Sequence, residues 1–245
     1  MQQPPSTPRC FLVEDDSFAQ NELAYFLTDL EFAVTSAGTY DEALRLLDQP
    51  EPFRLAVVDL RLRRDGERRP APSPEHGLDL IHRIKQSAPG TAVVIWTGYE
   101  DQVPAVVSMA AKGWGGLAYV IKGSLPEELR TAIEHALLGA VYMQPGLRQP
   151  QGYGAALLAA LPPDIAPLVE RIAAQLDTLS PRELEIAALL MSSTDSIARR
   201  LGLSPHTVRN HIDAIYTRLG LKEPVAAELR RDTVLTLALI VRRLQ

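Results

Sequence analysis

The sequence predicts an α/β fold, a doubly wound five-stranded parallel sheet, followed by an all-α helix-turn-helix domain. Two observations carry this prediction. Short, continuous apolar runs alternate five times with helical patterns over the first 142 residues, and such runs are typical of strands that a parallel sheet buries on both faces. Nearer the C-terminus, a glycine turn joins a short helical pattern to a longer one that begins with a serine cap.

The five strand–helix units of the first domain can be located from residue spacing. Strand-like runs fall near residues 9–14, 32–36, 54–59, 92–96 and 117–121. The helical patterns that follow them are Phe18–Leu30, Asp41–Leu47, Gly77–Ile84, Val103–Ala111 and Pro126–Leu138. Repeated units of this kind imply parallel strands joined by right-handed crossovers. We therefore expect one compact domain over residues 1–142.

Polar residues stand at the C-terminal ends of four of these runs. Asp15, Asp59, Thr97 and Lys122 close the runs CFLVED, LAVVDL, AVVIWTG and LAYVIKG. The carboxyl ends of parallel strands meet at one edge of the sheet, where such folds bind their ligands. Two carboxylates, a hydroxyl and an amine should therefore share one crevice, and this set suits a hard divalent cation and a phosphoryl group.

In this order the motifs resemble the receiver domain of a two-component response regulator, over roughly residues 8–142. The resemblance implies a flavodoxin-like phosphoacceptor domain in which a sensor histidine kinase phosphorylates Asp59. It also implies an Mg²⁺ site and a group of residues that contact the phosphoryl group or switch with it. The implied Mg²⁺ ligands are Glu14, Asp15, Asp59 and the carbonyl of Arg61, and the implied contact and switch residues are Thr97, Lys122 and Tyr119.

Each residue type has a chemical reason within this resemblance. Asp59 is a weak nucleophile, so positioning and a bound Mg²⁺ must supply most of the catalysis. Lys122 can pair with the new phosphoryl oxygens, and Thr97 can donate a hydrogen bond to one of them. Tyr119 is then expected to move inward as Thr97 shifts, within a population shift between two packed arrangements.

Two other interpretations of the first domain stay open. A magnesium-dependent aspartyl-phosphate phosphatase normally has a second Asp two residues after its nucleophile, but this chain has Arg61 there, and we expect the protein not to be an enzyme. A receiver that no longer uses phosphorylation could serve as a dimerisation module on a DNA-binding protein. The presence of Asp59, Thr97 and Lys122 counts against that second alternative.

The chain departs from the receiver pattern in two places. Extra residues lie between Asp59 and Gly77, in the segment RLRRDGERRPAPSPEH, which has five arginines and three prolines. This arginine-rich segment, residues 61–76, is either a solvated loop, whose closure costs little entropy, or a functional addition beside the phosphorylation site. Gly123 follows Lys122 where many receivers have proline, and we expect the next turn to be more mobile for that reason.

The second domain follows a linker. Residues 143–176 contain several prolines and one predicted helix over Asp164–Leu176. The pattern after the linker, from LSPRELEIAALL to SPHTVRNHIDAIYTRLG, begins with a capping box at Ser180 and Glu183. It resembles the DNA-binding domain of the LuxR/NarL family. The resemblance implies a helix-turn-helix domain with an extended C-terminal helix over residues 177–245.

In such a domain the second helix enters the major groove of double-stranded DNA, and its exposed N-terminal residues reach the bases. Arg209 is expected to bond guanine and Asn210 adenine. Asp213 either repels phosphate or accepts a hydrogen bond from a cytosine amine. Phosphate contacts are expected from Arg199, Arg200, His206, Thr207 and Arg218.

Composition is compatible with a DNA-binding regulator. Residues 1–176 hold 15 Lys and Arg against 22 Asp and Glu, whereas residues 177–245 hold 10 against 8. An acidic front half and a mildly basic tail are expected if only the tail meets nucleic acid. The single Cys10 excludes a disulfide framework, and no apolar stretch is long enough to span a bilayer. We therefore expect a cytoplasmic protein with no membrane partner.

The last segment, PVAAELRRDTVLTLALIVRRLQ, predicts a helix with an apolar stripe. Val234, Leu237, Val241 and Leu244 recur at the spacing of a helix seam. Two occupants of this stripe stay open. It packs on the chain's own linker helix near Asp164–Leu176, or it forms a two-fold homodimer that places two recognition helices on an inverted-repeat site.

Overall fold

The structure of the chain is a computed structural model that describes residues 7–48, 51–68, 74–99, 102–145, 153–221 and 230–243. The chain divides into two compact units. The first contains residues 1–98 and 119–133, and the second contains residues 99–118 and 134–245. The boundaries at residues 142 and 176 stay predictions, because a compact unit need not coincide with a domain of the sequence.

One sheet contains all the strands of the described residues. They are β1 (Arg9–Val13), β2 (Ala33–Ala37), β3 (Leu55–Val58), β4 (Ala92–Thr97), β5 (Leu117–Ile121) and β6 (Val141–Met143). Their order is β2-β1-β3-β4-β5-β6, and the β1–β2, β1–β3 and β3–β4 pairs are parallel. The five predicted strands are present. The sequence pattern does not reveal β6, because three residues are too few to show a period.

Burial distinguishes the centre of the sheet from its edge. The β3 side chains are all buried, and so are those of β1 after its first residue. The edge strand β2 has only one buried residue, Ala37. This contrast is expected between strands that helices cover on both faces and a strand at the margin of the sheet, and it explains why the central runs are continuously apolar.

Helices follow the first five strands, as predicted. They are α1 (Ser17–Asp29), α2 (Tyr40–Leu47), α3 (Glu75–Ser87), α4 (Val103–Ala111) and α5 (Pro126–Leu137). Side-chain caps begin the first two helices: Asp16 accepts a hydrogen bond from the backbone N–H of Ala19, and Thr39 accepts one from Glu42. Both caps therefore start a helix directly beyond the carboxyl edge of the sheet.

The rest of the described chain is helical. Its helices are α6 (Tyr153–Ala160), α7 (Ala166–Gln175), α8 (Pro181–Ala187), α9 (Thr194–Leu201), α10 (Pro205–Arg218) and α11 (Arg231–Arg243), with a short 3-10 turn at Leu176–Thr178. The predicted capping box of Ser180 and Glu183 opens α8, a left-handed Gly202 ends α9, and Ser204 caps α10. The sequence pattern predicts α7 but not α6. Among the described helices, none is both long enough and apolar enough to cross a membrane.

The apolar stripe of α11 is buried inside the chain itself. Val234, Leu237 and Val241 have no exposed surface, because α11 packs mainly on α7 and also on α4 and α6. The structure therefore contains the intramolecular alternative, and these residues cannot form a dimer seam while that packing lasts. Leu244 and the predicted start of the helix at Pro224 lie outside the described residues.

Candidate functional site

Three carboxylates meet at the carboxyl edge of the sheet. Glu14 and Asp15 follow β1, Asp59 follows β3, and one oxygen of each lies within 4.8 Å of the others. Glu14 and Asp59 are buried, whereas Asp15 is half-buried. Burial raises the pKa of Glu14 to about 7, and burial together with the charge of Asp59 raises the pKa of Asp15. The fold thus concentrates negative charge here although burial opposes it.

Lys122, just beyond β5, lies among these carboxylates. Its Nζ donates hydrogen bonds to Glu14 Oε1 and Asp59 Oδ2, both at 2.9 Å, and lies 2.8 Å from Glu14 Oε2. Burial alone would lower the pKa of the Lys122 amine, but the charges of Asp59 and Glu14 raise it above its usual value. One amine offsets only part of the carboxylate charge, so the site favours a further cation.

The backbone around Asp59 is closely held. Asp59 N donates to Val13 O at 2.9 Å, and Leu60 N donates to Asp59 Oδ1 at 2.7 Å. Gly77, in the first turn of α3, donates its N–H to Leu60 O at 3.1 Å. A Cβ at Gly77 would lie 2.5 Å from the carbonyl oxygen of Asp59 and closer still to the Cα of Leu60. Only glycine therefore allows α3 to approach Asp59 this closely.

Thr97 and Tyr119 lie near this pocket on the neighbouring strands. Thr97 ends β4 and is fully buried, and its hydroxyl has no hydrogen-bond partner among the described residues. The backbone N–H of Lys122 donates to Thr97 O at 2.8 Å, which fixes this strand end beside the backbone of Lys122. A buried polar atom without a partner is unusual, and here it is suited to a group that binds in the pocket. Tyr119 is already fully buried, and its predicted movement stays a prediction.

Gly123 has a conformational reason for its place after Lys122. Its φ is +85°, which proline cannot adopt because its ring holds φ at about −65°. Proline at this position would therefore be incompatible with the backbone path of this turn. The expected mobility of the turn stays a prediction.

The donor set fits the expected Mg²⁺. Glu14, Asp15 and Asp59 offer carboxylate oxygens, the hard ligands that this ion prefers. Arg61, whose carbonyl is the fourth predicted ligand, lies in the loop that directly follows Asp59. The described residues thus bring the first three predicted ligands together, while the role of the Arg61 carbonyl stays a prediction.

The exposed face of α10 carries the residues predicted to read bases. Arg209, Asn210 and Asp213 are exposed, whereas Val208 and Ile215 on the opposite face are fully buried. This division follows from the spacing of apolar residues along the helix. A surface made of long polar side chains on one helix face is suited to enter a DNA groove.

The predicted phosphate contacts at the start of α10 interact with their neighbours. His206 Nε2 lies 3.3 Å from Asn210 Nδ2, and the Thr207 hydroxyl lies 2.8 Å from that of Ser204. His206 is exposed and Thr207 is half-buried. Both lie in the first turn of α10, which begins at Pro205, next to the residues predicted to read bases.

The three predicted arginine contacts differ in their surroundings. Arg199 is exposed on α9. Arg200 pairs with Glu134 of α5 at 3.5 Å. Arg218 pairs with the buried Glu183 and donates to Thr178 O at 3.2 Å. Arg218 therefore helps to hold the end of α10 against the start of α8, a role that the sequence pattern does not reveal.

The first part of the arginine-rich segment, residues 61–68, is attached to α2. Arg64 binds Asp41 at 2.7 Å, and Asp65 accepts hydrogen bonds from Thr39 at 2.6 Å and Arg45 at 2.9 Å. These pairs cannot be predicted from the sequence pattern, because their members lie far apart in the chain and follow no local spacing. Residues 69–73 of the segment lie outside the described residues.

Two family models match the chain. The model of the response regulator receiver domain matches residues 10–134. The model of bacterial regulatory proteins of the luxR family matches residues 177–229. The first match contains the carboxylate pocket, and the second contains α8 to α10.

Individual proteins resemble the chain over different lengths. The response regulator GacA of Pseudomonas aeruginosa is 25% identical over 226 residues, which cover 90% of this chain and 94% of GacA. The alginate biosynthesis transcriptional regulatory protein AlgB of the same species is 34% identical over 124 residues, which cover 51% of this chain and only 24% of AlgB. A solved CheY-like receiver domain protein from Methanospirillum hungatei is 25% identical and covers 54% of this chain and 94% of its own, with a TM-score of 0.43.

Proposed function

This chain belongs to the response regulators that join a receiver domain to a LuxR-type DNA-binding domain, and from that premise we propose that a sensor histidine kinase phosphorylates Asp59 to control promoter binding. One observation carries the proposal. Asp59 is buried between two further carboxylates and the Lys122 amine, and Thr97, whose backbone is bonded to that of Lys122, has a buried hydroxyl with no hydrogen-bond partner among the described residues. This is the set of groups that phosphoryl transfer to a carboxylate requires.

The pocket residues supply positioning and charge. When bound, Mg²⁺ would offset the charge that develops on the phosphoryl oxygens, and Glu14, Asp15, Asp59 and the Arg61 carbonyl would hold it. A carboxylate oxygen of Asp59 attacks the phosphorus of the phosphohistidine. The new P–O bond forms as the P–N bond breaks, and the bonding electrons of the P–N bond leave with the imidazole.

The product is an acyl phosphate that Lys122 and Thr97 can stabilise. Lys122 Nζ is bound to Asp59 Oδ2 before transfer, so a small rotation brings it to a phosphoryl oxygen. The buried Thr97 hydroxyl donates a hydrogen bond to another oxygen and gains the partner that it lacks among the described residues. Both interactions are stronger in the phosphorylated state, and they therefore favour it.

Exposed apolar side chains beside the pocket support a protein as phosphoryl donor. Phe18 is 71% exposed at the start of α1, and Leu125 is 73% exposed three residues after Lys122. Both segments begin at the carboxyl edge of the sheet that carries Asp59. Large apolar side chains exposed around a polar site are typical of a docking surface, and a kinase domain is the partner that the proposal requires.

The DNA-binding half of the proposal rests on α10. Arg209 and Asn210 would read bases in the major groove, and Arg199, His206 and Thr207 would contact phosphates. Double-stranded DNA is thus the second partner. We place the protein in the cytoplasm, where DNA and kinase domains are accessible and where the free thiol of Cys10 stays reduced.

The connection between the two halves is proposed to run through α4. This helix begins shortly after Thr97 and packs on α11. A shift of Thr97 towards the phosphoryl group would therefore pull on the segment that leads into α4. Loosening the α4–α11 packing would expose the part of α11 that α4 covers, and a second copy of the chain could then cover that part to form the homodimer.

Labelling with acetyl phosphate tests the proposal. With Mg²⁺ present, mass spectrometry should find phosphate on Asp59, none in Asp59→Asn, and strongly reduced labelling in Asp15→Ala. Asp16→Asn is a matched control, because Asn can keep the helix cap that Asp16 provides to α1, and its labelling should match that of the wild type. Phosphate on another residue with none on Asp59 would contradict the proposed function.

A further inference from the structure

We propose that Arg63 is a specificity-determining residue, a fixed positive charge beside the acidic pocket that favours dianionic phosphoryl donors and weakens Mg²⁺ binding. The inference rests on the proposed phosphorylation of Asp59. It concerns the arginine-rich segment, which the sequence analysis leaves as either a solvated loop or a functional addition. The contacts of its described part favour the second alternative.

The backbone around Arg63 is fixed by its neighbours on α2. Arg63 O accepts a hydrogen bond from Tyr40 N at 2.9 Å. The next residue, Arg64, binds Asp41 at 2.7 Å, and Asp65 N donates to the same carboxylate at 2.9 Å. The hydrogen bond from Arg64 lowers the pKa of Asp41 to about 2, so this carboxylate stays charged over the whole working range of pH. A freely solvated loop would not make this series of contacts.

The Arg63 side chain points back to the carboxyl edge of the sheet. Its Nε donates to Gly38 O at 3.5 Å. Gly38 directly follows Ala37, the last residue of β2, and Ala37 O accepts a hydrogen bond from Glu14 N at 3.1 Å. The guanidinium group is therefore held next to the end of β1, where the pocket carboxylates begin.

The position of Arg63 brings its charge close to the pocket. Its Nε bonds the carbonyl of Gly38, the residue after Ala37, and the carbonyl of Ala37 accepts the N–H of Glu14. In agreement with this geometry, burial and the charge of Asp59 raise the pKa of Asp15, whereas the charges of Lys122 and then Arg63 oppose that rise. Arg64, one residue further along, has its charge matched by Asp41 instead.

A fixed charge at this place has two opposite consequences. It attracts an anionic donor more strongly as the donor carries more negative charge, and it repels a divalent cation from the same pocket. Acetyl phosphate is a dianion at neutral pH, and phosphoramidate carries less negative charge. The rate at which acetyl phosphate labels Asp59 should therefore depend on Arg63 more strongly than the rate with phosphoramidate. Both effects should weaken as salt screens them. A purely structural role for Arg63 would not produce this dependence on donor charge.

The experiment compares the full chain with Arg63→Gln, Arg63→Lys and the control Arg68→Gln, which removes an exposed arginine from the same segment. Calorimetry measures Mg²⁺ binding without any donor, and mass spectrometry follows Asp59 labelling at saturating Mg²⁺ for both donors at low and high salt. For Arg63→Gln we expect Mg²⁺ to bind about threefold tighter and acetyl phosphate to react about fivefold slower at low salt. The reaction with phosphoramidate should slow by about twofold.

Arg63→Lys should restore the wild-type values, and Arg68→Gln should leave them unchanged. Equal Mg²⁺ affinity and equal donor selectivity in Arg63→Gln and the wild type would overturn the inference. A wild type that binds Mg²⁺ but accepts no phosphoryl group would contradict the proposed function instead. The calorimetric comparison of Arg63→Gln with the wild type would then still decide whether the Arg63 charge acts on the pocket.

Discussion

Each end of β4 has a lysine nearby, and the two lysines meet different groups. At the carboxyl end, Lys122 Nζ lies within 2.9 Å of two carboxylates, whose charges raise its pKa. At the amino end, the fully buried Lys85 Nζ donates to the carbonyl of Thr91, the residue before the strand, at 2.6 Å. Burial lowers the pKa of Lys85 to about 8. The pKa of a lysine is therefore raised at the carboxyl end of the sheet and lowered at the amino end.

Among the described residues, only the carboxyl end of the sheet is suited to phosphoryl chemistry. At the carboxyl end, several strands deliver opposite charges to one place, so a buried charge is stabilised and remains available to a phosphoryl group. At the amino end, burial of the Lys85 ammonium group costs free energy of folding, whereas its aliphatic stem contributes packing. The two ends should therefore respond differently to substitution.

The largest expected effect is at the carboxyl end, at Gly77. The methyl group of Gly77→Ala would overlap the backbone of Asp59 and Leu60, which cannot move without moving the pocket. We expect the free energy of unfolding to fall by about 3 kcal/mol or more. Denaturant unfolding measures this loss, and labelling of the remaining folded protein with acetyl phosphate should be slower as well.

Gly90 provides the matched control for this prediction. It lies just before β4 at the amino end, and a Cβ there would meet no atom within 4 Å. Gly90→Ala should therefore change the free energy of unfolding by less than about 1 kcal/mol. Equal losses in the two variants would mean that the carboxyl edge is no more tightly packed than the amino edge.

These two ends also separate what the sequence reveals from what it does not. The positions of the first five strands along the chain follow from apolar runs, and the meeting of the residues that close them follows from the shared edge of parallel strand ends. The sequence alone therefore predicts that Asp59, Glu14, Asp15 and Lys122 lie together, and in the folded chain they do.

Pairs between distant segments of the chain cannot be predicted in this way. The bonds from Arg64 to Asp41 and from Arg218 to Glu183 join residues that no period relates. The packing of α11 on α7 is another case. An apolar stripe indicates that one face of a helix is buried, but it does not identify the element that buries it. The sequence therefore leaves the occupant of the stripe and the path of the arginine-rich segment open.

A somewhat smaller effect is expected from the pH dependence of stability at the amino end. The unfolded chain holds the Lys85 proton up to the ordinary lysine pKa of 10.5, whereas the folded chain releases it above about 8. Between these values the unfolded state binds more protons, so the contribution of Lys85 to stability rises with pH. Lys85→Met removes this dependence, and its stability relative to the wild type should fall by about 3 kcal/mol from pH 7.5 to pH 10.5.

Lys122→Met provides the matching substitution at the carboxyl end of the sheet. It removes the cation from a group of carboxylates and should destabilise the protein at pH 7.5 by about 2 kcal/mol, reduced from the buried-pair value by partial exposure of the amine. Lys85→Met should be neutral or stabilising at the same pH. Urea unfolding of both variants across the pH range measures the difference. Destabilisation by both to the same extent would remove the contrast between the two ends.

The smallest expected effect on folding lies outside the sheet, at Arg209 on the exposed face of α10. Arg209→Ala should leave the free energy of unfolding within about 0.5 kcal/mol of the wild type while weakening binding at the specific site by roughly 1–3 kcal/mol and relaxing the preference at one base pair. Arg199→Ala should instead weaken binding to all sequences and reduce the salt dependence. A binding-site selection distinguishes these outcomes. An unchanged base preference in Arg209→Ala would show that Arg209 does not read a base. The expected outcome would distinguish Arg209 from Lys122, because the function of an exposed residue can be removed without disturbing the fold, whereas the removal of Lys122 should destabilise it.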